Sequence, residues 1–223
     1  MDFRVSLAVF GFAILLFVAG VVLSRANYYK RFKTHFSFRN TFPFEFNYEA
    51  HFVDNLLGNA FLVFSTLTII LFYASFKGCR DSGLPIFIFV SGVLSSVLIC
   101  MLYFVSTKLL KTHIVTLTLS FALVFMLQAA TGLLNLEYYN HYHNIVNLIG
   151  VIYSFALATL TFVSVMNPKL SFRIKTKEPP TEGDSVTYAR PKWIVIAFTE
   201  WIAIAGLYLN AIGVIFFLIS ISF

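Results

Sequence analysis

The chain has 223 residues, 59% of them hydrophobic and only 12% charged, with 27 phenylalanines and a formal charge of +6. That composition leaves too little polar surface to dissolve as a globule, which excludes soluble folds and points to an integral membrane protein. Backbone amides in hydrocarbon must be paired internally, so the choice lies between helices and a closed barrel. Runs of about twenty apolar residues without alternation exclude the barrel. The expected fold is all-α, a six-transmembrane-helix bundle forming one domain over 1–223.

The first apolar run, Val5 to Leu23, follows a lone Arg4. It is longer than the roughly seven to fifteen residues of a signal-peptide core, and Val21-Val22-Leu23-Ser24 is a poor cleavage site, so it reads as a span over 5–24. Asn27 to Ala50 mixes basic and aromatic residues: Tyr28-Tyr29-Lys30-Arg31-Phe32-Lys33, then Thr41-Phe42-Pro43-Phe44-Glu45-Phe46. Aromatics this dense are expected at a headgroup interface, with Lys30, Arg31 and Lys33 against lipid phosphates. A nucleic-acid surface of the same composition is set aside because the stretch adjoins two spans. The second span is expected over 52–76, where Asp54 and Asn55 suit a helix N-terminus.

In the third span, 84–107, Ser91, Gly92, Ser95 and Ser96 form overlapping small-xxx-small pairs that mark a helix contact. The fourth, 112–135, opens on His113, with Thr116 and Ser120 on the same face. An interfacial histidine near a helix start is expected to cap or snorkel without needing a partner. The following loop, 135–144, holds His141 and His143, but no third ligand is recognisable and a metal site is not expected. The fifth span, 144–166, carries Asn147, Gly150, Ser154, Ala158 and Thr161 as a packing strip and ends before Asn167-Pro168. The polar stretch 167–192 is expected to be an exposed loop, with Arg173, Lys175 and Lys177 as further headgroup contacts.

The last span, 193–220, is the one against which the other five are expected to pack. Glu200 is its anomaly, since a carboxylate inside a span costs on the order of 3 kcal/mol unless it meets a partner. Trp201 follows it, and Ala203, Gly206, Asn210 and Gly213 form a strip without bulk that suits close helix approach. The two cysteines, Cys79 and Cys100, give neither a disulfide framework nor metal spacing, and no cofactor or nucleophile motif appears. No cofactor and no nucleic-acid partner are expected.

Arg4, Lys77 and Arg80 are the three basic residues of the N-terminus and second loop, against thirteen in the first, third and fifth loops. By the positive-inside rule that places both termini away from the cytosol. Several landmarks together resemble the damage-regulated autophagy modulator family and its wider Frag/Sfk superfamily of six-span proteins. They are Phe42-Pro43 ahead of Leu57-Gly58, Ser91-Gly92-Val93-Leu94-Ser95, His113, and Glu200-Trp201, in an order covering most of the chain. The Phe-Pro loop continues Phe44-Glu45-Phe46-Asn47 where the family has a Ser-Asp-Thr-Gly-like run. The resemblance implies cytosolic termini, opposite to the charge count. It also implies a eukaryotic plasma-membrane or endolysosomal/Golgi location, and a regulator or accessory subunit working with membrane lipids and other membrane subunits. A lipid-handling protein of the kind that remodels GPI anchors, and a small-solute transporter, are the alternatives. An enzyme would need His113 and Glu200 to converge in the folded bundle.

Overall fold

The computed structural model describes residues 3–50, 53–78, 83–105, 109–166 and 194–222. Arg173, Lys175, Lys177, Cys79 and the rest of the expected fifth loop lie outside the described residues. Among the described residues, six helices are long and apolar enough to cross a membrane. They are α1 (Phe3–Phe32), α2 (Leu56–Ala74), α3 (Gly83–Leu102), α4 (Leu110–Tyr142), α5 (Ile145–Val165) and α6 (Val195–Ser222). The protein is an all-α, multi-pass membrane bundle. Chain neighbours pack as hairpins, and α6 touches α1, α3, α4 and α5. In its most apolar stretch α6 is 67% buried, against 22% for α1 and α5, so it is the central helix and those two face outward.

Several boundaries differ from the expected ones for identifiable reasons. Helix α1 runs on to Phe32 because Ser24 and Asn27 bond Asn55, just ahead of α2, and Tyr28 packs on Phe36 in the following loop. It stops at Lys33, a left-handed residue (φ 54°) whose N–H bonds the Tyr29 carbonyl at 2.9 Å. Helix α4 continues seven residues past Asn135, whose amide was expected to mark its end. That amide points inward instead, donating to the carbonyls of Thr131 (2.9 Å) and Gly213 (3.2 Å), so the helix carries on. His143, at φ 49°, closes it, and the expected ten-residue loop shrinks to two. His141 therefore sits in a helical last turn, and among the described residues no three metal-ligating groups gather.

Close approach is set by small residues. Gly92 of α3 lies against the ring of Tyr73 on α2, where an added Cβ would come within 2.6 Å of Cδ1. Tyr73 cannot swing away, being fully buried and bonded through its hydroxyl to the Leu207 carbonyl of α6 at 2.9 Å. Gly11, by contrast, has nothing within 4 Å. Gly92→Ala should therefore lower stability by about 1–3 kcal/mol through overpacking, while Gly11→Ala should be neutral or slightly stabilising. Unfolding midpoints of the two variants in one detergent check this.

Candidate functional site

At the end of the bundle where α1, α3 and α5 finish, α3 stops at Leu102; the N–H groups of Tyr103, Phe104 and Val105 bond back to the Cys100 and Met101 carbonyls, which leaves the Tyr103 and Val105 carbonyls, past the helix end, in need of partners. In an apolar surround each such group is costly, so a partner has to come from elsewhere. Two side chains supply it. Asn47 donates its amide to the Tyr103 carbonyl at 3.0 Å, and His113, from the first turn of α4, approaches the Val105 carbonyl through Nδ1 at 2.8 Å. Each contact extends into a chain of polar groups.

On one side, Asn59 donates to Asn47 Oδ1 (2.7 Å), Asn55 donates to Asn59 Oδ1 (3.1 Å) and to Ser24 Oγ (3.0 Å), and Asn27 donates to Asn55 Oδ1 (3.1 Å). This amide relay stitches α1 to α2 and to the 3-10 helix Pro43–Ala50. Asn55 does occupy the N-terminus of α2, as expected, but it spends its side chain in the relay and makes no cap bond to the helix.

On the other side, His113 Nε2 meets Glu200 Oε1 of α6 at 2.7 Å. Both are buried, at 1% and 0% exposure, so His113 is not the solitary interfacial histidine expected from its place in the sequence. The burial follows from Thr116 and Ser120 continuing its face into the bundle and from the loop that covers it. The proton inventory can be read from geometry. A carbonyl only accepts, so Nδ1 carries a hydrogen towards Val105; Nε2 and Oε1 then share one further proton. Whether that proton sits on nitrogen or oxygen, the pair is neutral as a whole, which is how a carboxyl group is tolerated here. Glu200 Oε2 is buried and has no hydrogen-bond partner among the described residues.

The cover is aromatic. The Phe42 and Phe44 rings stand nearly perpendicular to His113, with centroids at 6.1 and 5.7 Å. Phe36, Phe38 and Phe46 surround Trp201, at 5.8, 4.9 and 5.9 Å. Trp201 Nε1 donates to the Thr41 carbonyl (2.9 Å), and the Ile194 N–H donates to the Arg39 carbonyl (2.8 Å). Phe36, Phe42, Phe44 and Phe46 are all buried, at 2–4% exposure, so these rings form a plug inside the bundle end and not the headgroup belt expected of them. A belt and a plug have the same composition; only the buried partners on α4 and α6 distinguish them.

The small strip on α6 lies against α4 and α5. Gly206 sits beside Gln128 and Val124, Gly213 beside Ser154 and Thr131, and Ala203 is fully buried. Asn210 donates to Tyr73 Oη (3.3 Å) and Thr131 Oγ1 (3.2 Å), and Thr161 donates to Gln128 Oε1 (2.9 Å). Ser91 and Ser95 are buried on α3 beside Gly92; Ser91 bonds back to the Phe87 carbonyl at 2.6 Å. Lys30 and Lys33 are exposed at the end of α1, whereas Arg31 lies 3.9 Å from Asp54. The structure thus brings His113, Glu200 and Trp201 into one site and leaves Ser91, Gly92 and Ser95 in a separate helix contact. The Val105 and Thr41 carbonyls and the asparagine relay were not identified in the sequence; backbone acceptors leave no residue-type signal.

No protein-family model, curated protein or solved structure matches the chain.

The pair gives a direct expectation. In Glu200→Gln the amide N–H can donate to Nε2 of a neutral His113, so yield and thermal midpoint should stay close to wild type. Glu200→Leu leaves Nε2 buried and unpaired and should cost about 1–3 kcal/mol. Thermal unfolding of the purified variants distinguishes them, and equal losses would contradict the assignment.

Proposed function

We propose that this chain is a non-enzymatic multi-pass membrane regulator, a scaffold or accessory subunit that works with other membrane subunits and with lipids, in a eukaryotic plasma membrane or endolysosomal/Golgi membrane. The observation that carries this reading is the closure of the His113–Glu200 site. Both imidazole nitrogens are engaged, both side chains are buried, and two phenylalanine rings pack on the imidazole, so the acid–base groups serve to hold the plug and three helices together. The damage-regulated autophagy modulator and Frag/Sfk resemblance supports the same reading. Three of its landmarks, Phe42-Pro43, His113 and Glu200-Trp201, meet at this site although up to about 160 residues separate them.

A second reading, a lipid-handling enzyme, is favoured by one detail. A backbone carbonyl orients His113 so that Nε2 faces a carboxyl group, which is the geometry of an oriented general base, and Glu200 Oε2 remains unpartnered among the described residues. Purification in mild detergent followed by mass spectrometry of co-purifying species separates the two. The regulator reading expects a stoichiometric second membrane protein, retained by Glu200→Gln. A partner-free preparation that chemically alters a bound lipid, and loses that activity in a normally folded Glu200→Gln, would put the enzyme reading first.

A further inference from the structure

Helix α1 is 30 residues long, about 45 Å, and exceeds a hydrocarbon core of about 30 Å by some ten residues. One of its faces stays uncovered along most of that length. Leu15, Val18 and Val22 on this face are 68%, 51% and 58% exposed. The same three- and four-residue spacing then continues through Arg25 and Tyr29, both exposed, with exposed Lys30 alongside and exposed Lys33 just past the helix end. The face is therefore apolar and then cationic along one line. From Leu15 to Arg25 is ten residues, about 15 Å, the depth of half a bilayer core.

The cations differ in what they already hold. Arg31, on the packed side, has Asp54 at 3.9 Å. Arg25 lies over the Phe38 ring, 5.3 Å from its centroid, which positions the guanidinium without neutralising it. The ammonium groups of Lys30 and Lys33 make no ion pair or hydrogen bond among the described residues, and Tyr29 is stacked on His35 at 4.9 Å. Unpaired charge directly above an exposed acyl-facing strip matches the outline of a single phospholipid.

We propose that this face binds an anionic phospholipid, its chains along Leu15, Val18 and Val22 and its phosphate among Arg25, Lys30 and Lys33. The set differs from the one read in the sequence: Arg31 leaves it and Arg25 enters. It stands whether or not the His113–Glu200 site is catalytic, because it lies on the outer side of α1.

The test uses the full-length protein in micelles doped with equal amounts of phosphatidylcholine and phosphatidylserine, with bound lipid counted by native mass spectrometry. Wild type should retain phosphatidylserine preferentially. At about 1 kcal/mol per interfacial cation, Lys30→Gln/Lys33→Gln should lower that preference roughly 30-fold, while Arg4→Gln, at the other end of α1, should leave it unchanged. Soluble glycerophosphoserine should not displace the lipid. Equal retention by wild type and the double variant would overturn the proposal, as would displacement by the free headgroup, which would make the site one for phosphate and not for lipid.

Discussion

One shared proton between His113 and Glu200 lets a carboxyl group sit buried near one end of an apolar bundle, and much of that end depends on it. The contact ties α4 to α6. Through Nδ1 it also satisfies a carbonyl beyond the end of α3, and its ring is the surface on which Phe42 and Phe44 rest. The requirement behind it is general: where no water is at hand, every exposed carbonyl and amide needs an internal partner. The asparagine relay from Asn27 to Asn47 answers the same requirement for the neighbouring Tyr103 carbonyl, using neutral groups only.

Away from this end the bundle relies on closeness more than on polarity. Lipid tails are as apolar as leucine side chains, so helix association needs good packing and a few interhelical bonds. Gly92, Gly206 and Gly213 allow that packing, and Tyr73, Gln128 and Asn210 place polar atoms where the glycines bring backbone near. The result is a central α6 held from several sides. The outward helices α1 and α5 keep much of their apolar surface uncovered within the bundle.

The all-α class and six spans were legible because hydrophobic run length is a strong signal in a membrane chain. Boundaries were less so where a polar residue marked an inward face and not an end, as Asn135 does, its amide reaching the Gly213 carbonyl while α4 runs on to Tyr142. Glu200 was legible as an anomaly requiring a partner. His113 was named as a residue it could meet, but whether the two converge was not legible, because 87 residues separate them and nothing local in either stretch fixes their approach. The aromatic loop was misplaced for a related reason, since phenylalanine density does not distinguish a ring facing headgroups from one facing tryptophan.

The most direct test of the central claim is a double-mutant cycle on His113→Phe and Glu200→Leu, read from reversible unfolding of the full-length protein in detergent. If the pair joins α4 to α6 as described, each single variant leaves a buried group unpaired and the double variant relieves that loss, giving a coupling of about 1–3 kcal/mol. Additive effects of the two substitutions would contradict the account.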